Sequence, residues 1–206
     1  KDVIAKNKIR DTAILEKIIL YLCDNLGNIF SAKRIADFMK SNGRQLGIET
    51  VYNDLQFLQD ALFCYKVPRY DIKGKKLLET MEKYYIADQG IRFRLLGYKD
   101  SAINGLLENI VFLELIRRGY QVSIGKIGEY EIDFIAEKEG KKEYYQVCYL
   151  LSSEDVKIRE YRSLMQIKDN FPKTILSLDE LPDSFEEGIL RKNLRQWLLE
   201  CLEKNV

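Results

Sequence analysis

The 206-residue sequence predicts an α/β (α+β) fold in two domains, residues 1–98 and 99–206. Three observations carry that expectation. Helical periodicity fills residues 12–60 and gives way to two-residue alternation between 63 and 88. Near residue 100 a long helical stretch opens a second series of elements in the order αβββαβ. The charge divides at the same place: residues 1–100 hold 18 Lys/Arg against 13 Asp/Glu, and residues 101–206 hold 15 against 19.

The first helix is expected over 12–25, where Ile14, Leu15, Ile18, Ile19 and Leu22 form one stripe that ends near Gly27. Ser31 caps a second helix carrying Ile35, Ala36, Phe38 and Met39. A polar loop from Ser41 to Gly47 leads to a third helix with Val51, Leu55 and Leu58 on one face. A strand from Phe63 to Ile72, the turn Lys73-Gly74 and a returning strand near Lys83 to Ala87 make a hairpin. Three helices followed by a hairpin describe a winged helix. In the second domain a helix runs from about Ser101 to Arg118 and stops at Gly119. Strands follow at about 121–124, 130–137 and 143–150, the last two joined at Glu139-Gly140. Ser152 or Ser153 caps the next helix, with Ile158, Tyr161, Leu164 and Ile167 facing inward. Pro172 ends it, residues 174–178 form a short strand, and a final helix runs from about Phe185 to Leu202, burying Ile189, Leu190, Leu194, Trp197, Leu198 and Cys201.

With 46% hydrophobic and 32% charged residues, the composition is that of a soluble globular chain. No apolar run matches a membrane span and no signal-peptide pattern opens the chain, which predicts a cytoplasmic protein without membrane contact. A start at Lys1 rather than Met points to a piece of something longer. Cys23, Cys64, Cys148 and Cys201 have no CxxC spacing and lie in apolar segments, as reduced cytosolic thiols do. There is no histidine, which removes His metal ligands and Ser-His-Asp or Cys-His catalysis.

The most informative stretch is Glu131-Ile132-Asp133-Phe134 followed, after one turn, by Tyr144-Tyr145-Gln146-Val147-Cys148. Strand alternation places Asp133 on one face with Gln146 and Cys148 across from it, and places Glu131 on the face of Asp133. The upstream helix adds Glu108, an acid in an apolar setting where burial is costly without a partner. Acidic groups of this kind can hold Mg²⁺ against a scissile phosphate, and a lysine beside them can orient the attacking water. Asp133 fits the first acidic place, with Glu108 and Gln146 as the further ligands, Gln146 a weak one. Cys148 stands where the lysine is wanted. Lys126, just after the first strand of the series, is a candidate substitute cation.

Four motifs in this order resemble a large family of prokaryotic AAA-type ATPases: Lys83-Tyr84-Tyr85-Ile86-Ala87-Asp88-Gln89-Gly90-Ile91-Arg92; Gly105-x-Leu107-Glu108-Asn109 with Arg117-Arg118-Gly119-Tyr120; Glu131-Ile132-Asp133-Phe134; and Tyr145-Gln146-Val147. The resemblance spans nearly all of residues 12–202. It implies a winged helix followed by a PD-(D/E)XK, restriction-endonuclease-like domain, both C-terminal to an ATPase domain that this sequence lacks. ATP would then belong to that missing domain. The sequence has no phosphate-cradling G-x-x-x-x-G-K-[ST] loop: from Gly119 to Gly125-Lys126-Ile127 the spacing is one residue too long and the hydroxyl residue is missing. The implied role is that of a nucleic-acid or protein interaction module with a degenerate nuclease core. A Mg²⁺-dependent DNase using Glu108, Asp133 and Gln146, and a purely structural subunit-contact region, are the alternatives.

The third helix, which would enter a DNA groove, carries Glu49, Asp54 and Asp60 and no Lys or Arg, a repulsive set near phosphates. The hairpin is better suited, with Lys66, Arg69, Lys73, Lys75 and Lys76. DNA binding is therefore expected to be weak and sequence-independent. Contact with the missing ATPase domain, and homo-oligomers, are the other partners expected.

Overall fold

A computed structural model describes residues 11–203, without the side chains of residues 79, 80 and 201–203. The expected burial of Cys201 lies outside the described side chains. The chain is mixed α/β with a mixed sheet, and contacts divide it into two units: Lys1–Val67 with Thr80–Leu106, and Pro68–Glu79 with Leu107–Val206.

The first unit begins with α1 (Thr12–Asp24), α2 (Ala32–Ser41) and α3 (Ile48–Asp60). Side-chain caps start the first two helices. The Asp11 carboxylate accepts from the Ile14 N–H at 3.1 Å, and the Ser31 hydroxyl accepts from the Arg34 N–H at 3.3 Å. The apolar stripes meet in one core of Leu15, Ile18, Leu22, Ile35, Met39, Val51, Leu55 and Leu58. Strands β1 (Cys64–Asp71) and β2 (Lys76–Ile86) follow, and their proximal parts close this core through Cys64, Tyr84 and Ile86. The Phe30 ring stacks on Tyr84 with centroids 5.1 Å apart.

A short helix that periodicity did not reveal, α4 (Gln89–Leu96), comes next, capped by Asp88. Its Arg92 is fully buried, donates through Nε to the Cys23 carbonyl at 3.0 Å, and reaches the Gly97 carbonyl at 3.5 Å. Those carbonyls lie at the C-terminal ends of α1 and α4, where the helix dipole favours a cation. Gly105 is needed where the chain passes Leu26, since a Cβ there would lie 2.3 Å from the Leu26 carbonyl oxygen.

The second unit takes in the distal part of the hairpin, residues 68–79, so the boundary expected at 98 differs from the one the contacts draw. Backbone pairing is the reason: β1 runs parallel to β3 (Gln121–Ile127), with Arg69 opposite Ile124 and Asp71 opposite Lys126. Helix α5 (Ile103–Arg117) precedes β3; β4 (Tyr130–Lys138), β5 (Lys141–Val147), α6 (Glu154–Met165) and β6 (Lys173–Ser177) follow it. Both Glu139 and Gly140 have positive φ, the geometry of a tight two-residue hairpin turn. Helix α6 is capped by Ser153.

The final helix expected from Phe185 does not begin there. Instead β7 (Ser184–Glu186) and β8 (Ile189–Asn193) form a hairpin, and only α7 (Leu194–Glu203) is helical. The Glu187-Gly188 turn, again with two positive φ values, breaks the helical pattern. The Asn193 side-chain oxygen then accepts from the Arg195 and Gln196 N–H groups and starts α7. Sheet order is β2-β1-β3-β4-β5-β6-β8-β7. None of the described helices is long and apolar enough to cross a membrane.

Candidate functional site

The site grows from an irregularity in β4. Gly125 pairs with Ile132 and Ser123 with Ile135, so Ile124 alone faces both Asp133 and Phe134. This extra residue is a β-bulge, which breaks strand alternation and re-aims side chains. Ile132 and Ile135, three apart, consequently share one core cluster. Strict alternation therefore breaks between Asp133 and Phe134, the two bulged residues, and not between Glu131 and Asp133. Close approach of the strands also explains Gly125: a Cβ there would lie 2.7 Å from the Ile132 Cβ.

Beyond the bulge the β4–β5 ladder stops at Phe134–Tyr145. Two side chains take over its hydrogen bonds. The buried Asp133 carboxylate accepts the Val147 N–H at 2.8 Å, and the Gln146 side-chain oxygen accepts the Asp133 N–H at 3.4 Å. The Gln146 amide nitrogen donates to Glu160 on α6 at 3.1 Å. This orientation of the amide is the only one that matches donors to acceptors, because a flip would set NH₂ against an N–H and oxygen against a carboxylate. The Ser163 hydroxyl donates to the Glu160 carbonyl at 3.0 Å and makes a longer contact, 3.5 Å, to the Gln146 oxygen.

Glu160 is the residue that sequence reasoning missed. It is buried, and Arg159 donates to its Oε1 through Nε at 3.0 Å and through an Nη at 2.7 Å. Arg159 itself stays in solvent. The signal was available: Glu160 lies on the same helical face as Tyr161, Ser163 and Leu164, all buried. Of the face expected to point inward, Tyr161, Leu164 and Ile167 are buried, and only Ile158 points outward, 46% exposed.

Asp133, Gln146 and Cys148 are therefore brought together, as expected. The Cys148 thiol is buried, and its pKa is pushed far up, first by burial and then by Glu160, Asp179 and Asp133 around it. Burial and these neighbouring carboxylates favour the neutral thiol over the thiolate. Glu108 is buried on α5 one turn before Phe112, whose ring packs on Phe134 of β4 at 6.2 Å. Lys126 faces Asp71 on one neighbouring strand and Glu131 on the other, a cross-strand charge ladder. No group of three or more His, Cys, Asp or Glu able to hold a metal forms among the described residues. Asp133 gives one oxygen to a backbone N–H, both ends of Gln146 are hydrogen-bonded, and the Cys148 thiol is a poor ligand for a hard cation.

The five basic residues expected to meet phosphates differ in setting. Lys66 is in the first unit and pairs with the buried Glu82 at 2.7 Å. Arg69 is half-buried, and its Nε is enclosed without a hydrogen-bond partner. Lys73, Lys75 and Lys76 are exposed at the hairpin tip, where the Asp71 carboxylate accepts the Lys73 and Gly74 N–H groups at 3.1 and 3.0 Å and shapes the turn.

Residues 1–102 match a family described as "Domain of unknown function (DUF8612)". An uncharacterized protein of Haemophilus influenzae is 36% identical over 199 residues, covering 97% of this chain and 49% of that protein. An uncharacterized protein of Methanocaldococcus jannaschii is 32% identical over 174 residues, 82% of this chain and 38% of that protein. No solved structure matches. The chain thus spans about half, or less, of the length of the curated relatives it matches.

Proposed function

We propose that the chain is a winged helix followed by a PD-(D/E)XK-like domain, and that it works as the non-ATPase interaction part of a longer AAA-type ATPase. Its nuclease-like core serves as a scaffold without catalysis. The observation that carries this reading is the use made of Gln146. Its oxygen restores a hydrogen bond lost at the bulge and its nitrogen donates a hydrogen bond to Glu160. A side chain committed at both ends holds β4, β5 and α6 in register and has little left for a cation. The relatives, about twice as long, leave room for a further domain. The exposed tip lysines support weak, sequence-independent nucleic-acid contact, because phosphate attraction needs no base readout.

A plasmid-nicking assay with Mg²⁺ or Mn²⁺ tests the reading. Wild type is expected to leave supercoiled plasmid intact, as is Asp133→Ala. Robust wild-type nicking that Asp133→Ala abolishes would establish a Mg²⁺-dependent DNase and end the scaffold reading.

A further inference from the structure

The sheet has two open edges, β2 and β7, and the distal part of β2, residues 76–79, lies with β7 in the second unit. Further along β2 the outer side is taken: the Phe30 N–H donates to the Glu82 carbonyl at 3.2 Å. On β7 the turn fixes which backbone groups are free. In a two-residue hairpin the flanking pair, Glu186 with Ile189, is the hydrogen-bonded one, and so is Ser184 with Arg191. Phe185 between them turns its N–H and C=O to the open side.

Each edge carries a large apolar side chain in solvent: Leu77 is 61% exposed and Phe185 75%. Each is surrounded by charge of one sign. Lys73, Lys75 and Lys76 lead into the β2 edge, whereas Asp183, Glu186 and Glu187 flank Phe185. The three lysines and Glu187 form no ion pair among the described residues. Glu186, held by Lys157 at 2.9 Å, keeps half of its side chain exposed. Charge on an edge strand repels a second edge of the same sign. These edges are of opposite sign, so each excludes its own kind and attracts the other.

One antiparallel register meets all of these features. With Leu77 opposite Phe185, Lys76 falls opposite Glu186 and Lys75 opposite Glu187, and directly opposite residues share a face and touch. Glu79 falls opposite Asp183, a like-charged pair that Lys192, 3.8 Å from Asp183, offsets. The two edges lie at opposite ends of the sheet order, so the strand that completes each comes from a second copy. Such a contact is heterologous: each copy uses one edge and leaves the other free, and addition does not stop at two.

We propose that the chain associates head to tail with copies of itself, β7 of one copy adding to the distal part of β2 of the next in this register. This goes beyond the scaffold reading and does not depend on it.

Sedimentation equilibrium at low salt, over a concentration series reaching about 1 mM, tests it, with circular dichroism to confirm folding of each variant. Wild type is expected to associate weakly, to pass beyond the dimer as concentration rises, and to dissociate as salt is added. Reversing one edge, by Lys75→Glu with Lys76→Glu or by Glu186→Lys with Glu187→Lys, should weaken self-association about tenfold or more, since two cross-strand attractions become repulsions. Mixing the two reversed proteins in equal amounts should restore association, which merely damaged edges could not do. A strictly monomeric wild type, assembly that ends at a dimer, indifference to either reversal, or a mixture that stays monomeric would each overturn the proposal.

Discussion

Gln146→Glu is the sharpest perturbation of the core site, because it changes one NH₂ into an oxygen at the same place. The amide nitrogen it replaces lies 3.1 Å from the Glu160 carboxylate. Two unit charges at that separation repel by about 5 kcal/mol at an effective dielectric of about 20. The cost is capped, because the introduced carboxyl can take up a proton instead; doing so at pH 7 from a free pKa of about 4.3 costs about 4 kcal/mol. Arg159 offsets part of the repulsion, while the lost bond to a charged acceptor adds about 1.5–3 kcal/mol in the other direction. The expected net loss is about 3 kcal/mol, or about 6–12 °C in Tm for a chain of this size. The folded pKa of the introduced carboxyl is raised above its unfolded value. Its destabilisation is therefore absent below the unfolded pKa and grows as pH rises through the folded one. Thermal melts of wild type and variant at pH 4 and pH 7, without divalent ions, should converge at the lower pH and diverge at the higher. Equal stability at pH 7 would mean that the Gln146–Glu160 bond does not organise the site.

Three further expectations can be checked directly. Replacing Lys73, Lys75 and Lys76 together by Ala should weaken binding to a fluorescent DNA duplex and reduce the magnitude of the log Kd against log salt slope by about 2–3, as loss of three phosphate contacts requires; an unchanged slope would move the contact elsewhere. Cys148, buried and with its thiol pKa pushed up, should resist alkylation at pH 8 in the native protein and react only on denaturation; mass spectrometry showing fast native labelling would contradict its placement. Arg92→Ala should cost about 2–4 kcal/mol in urea unfolding, since the carbonyls at two helix ends lose their donor and a cavity opens; a change within about 0.5 kcal/mol would show that its hydrogen bonds contribute nothing net.

Periodicity and caps by themselves determined much of this protein. The stripe Leu15–Ile18–Leu22, the caps at Ser31 and Ser153 and the turn at Glu139-Gly140 are local signals, each fixed by residues within a turn or two of one another. They settled the three leading helices, the first hairpin and the central strands, and the alternation around Asp133 rightly brought Gln146 and Cys148 beside it. Tertiary structure decided the rest. Only the parallel pairing of β1 with β3 assigns the hairpin tip to the second unit, since a strand's sequence does not name its neighbour. The bulge at Asp133 is a mismatch between two strands and is invisible in either one. Glu160 became part of the site because the inward face of α6, rightly marked by Tyr161 and Leu164, extends to Glu160 rather than to Ile158. The hairpin at 184–193 was hidden because Ile189, Leu190 and Leu194 fit a helical stripe equally well, and it took strand pairing on β6 to choose between the two periods.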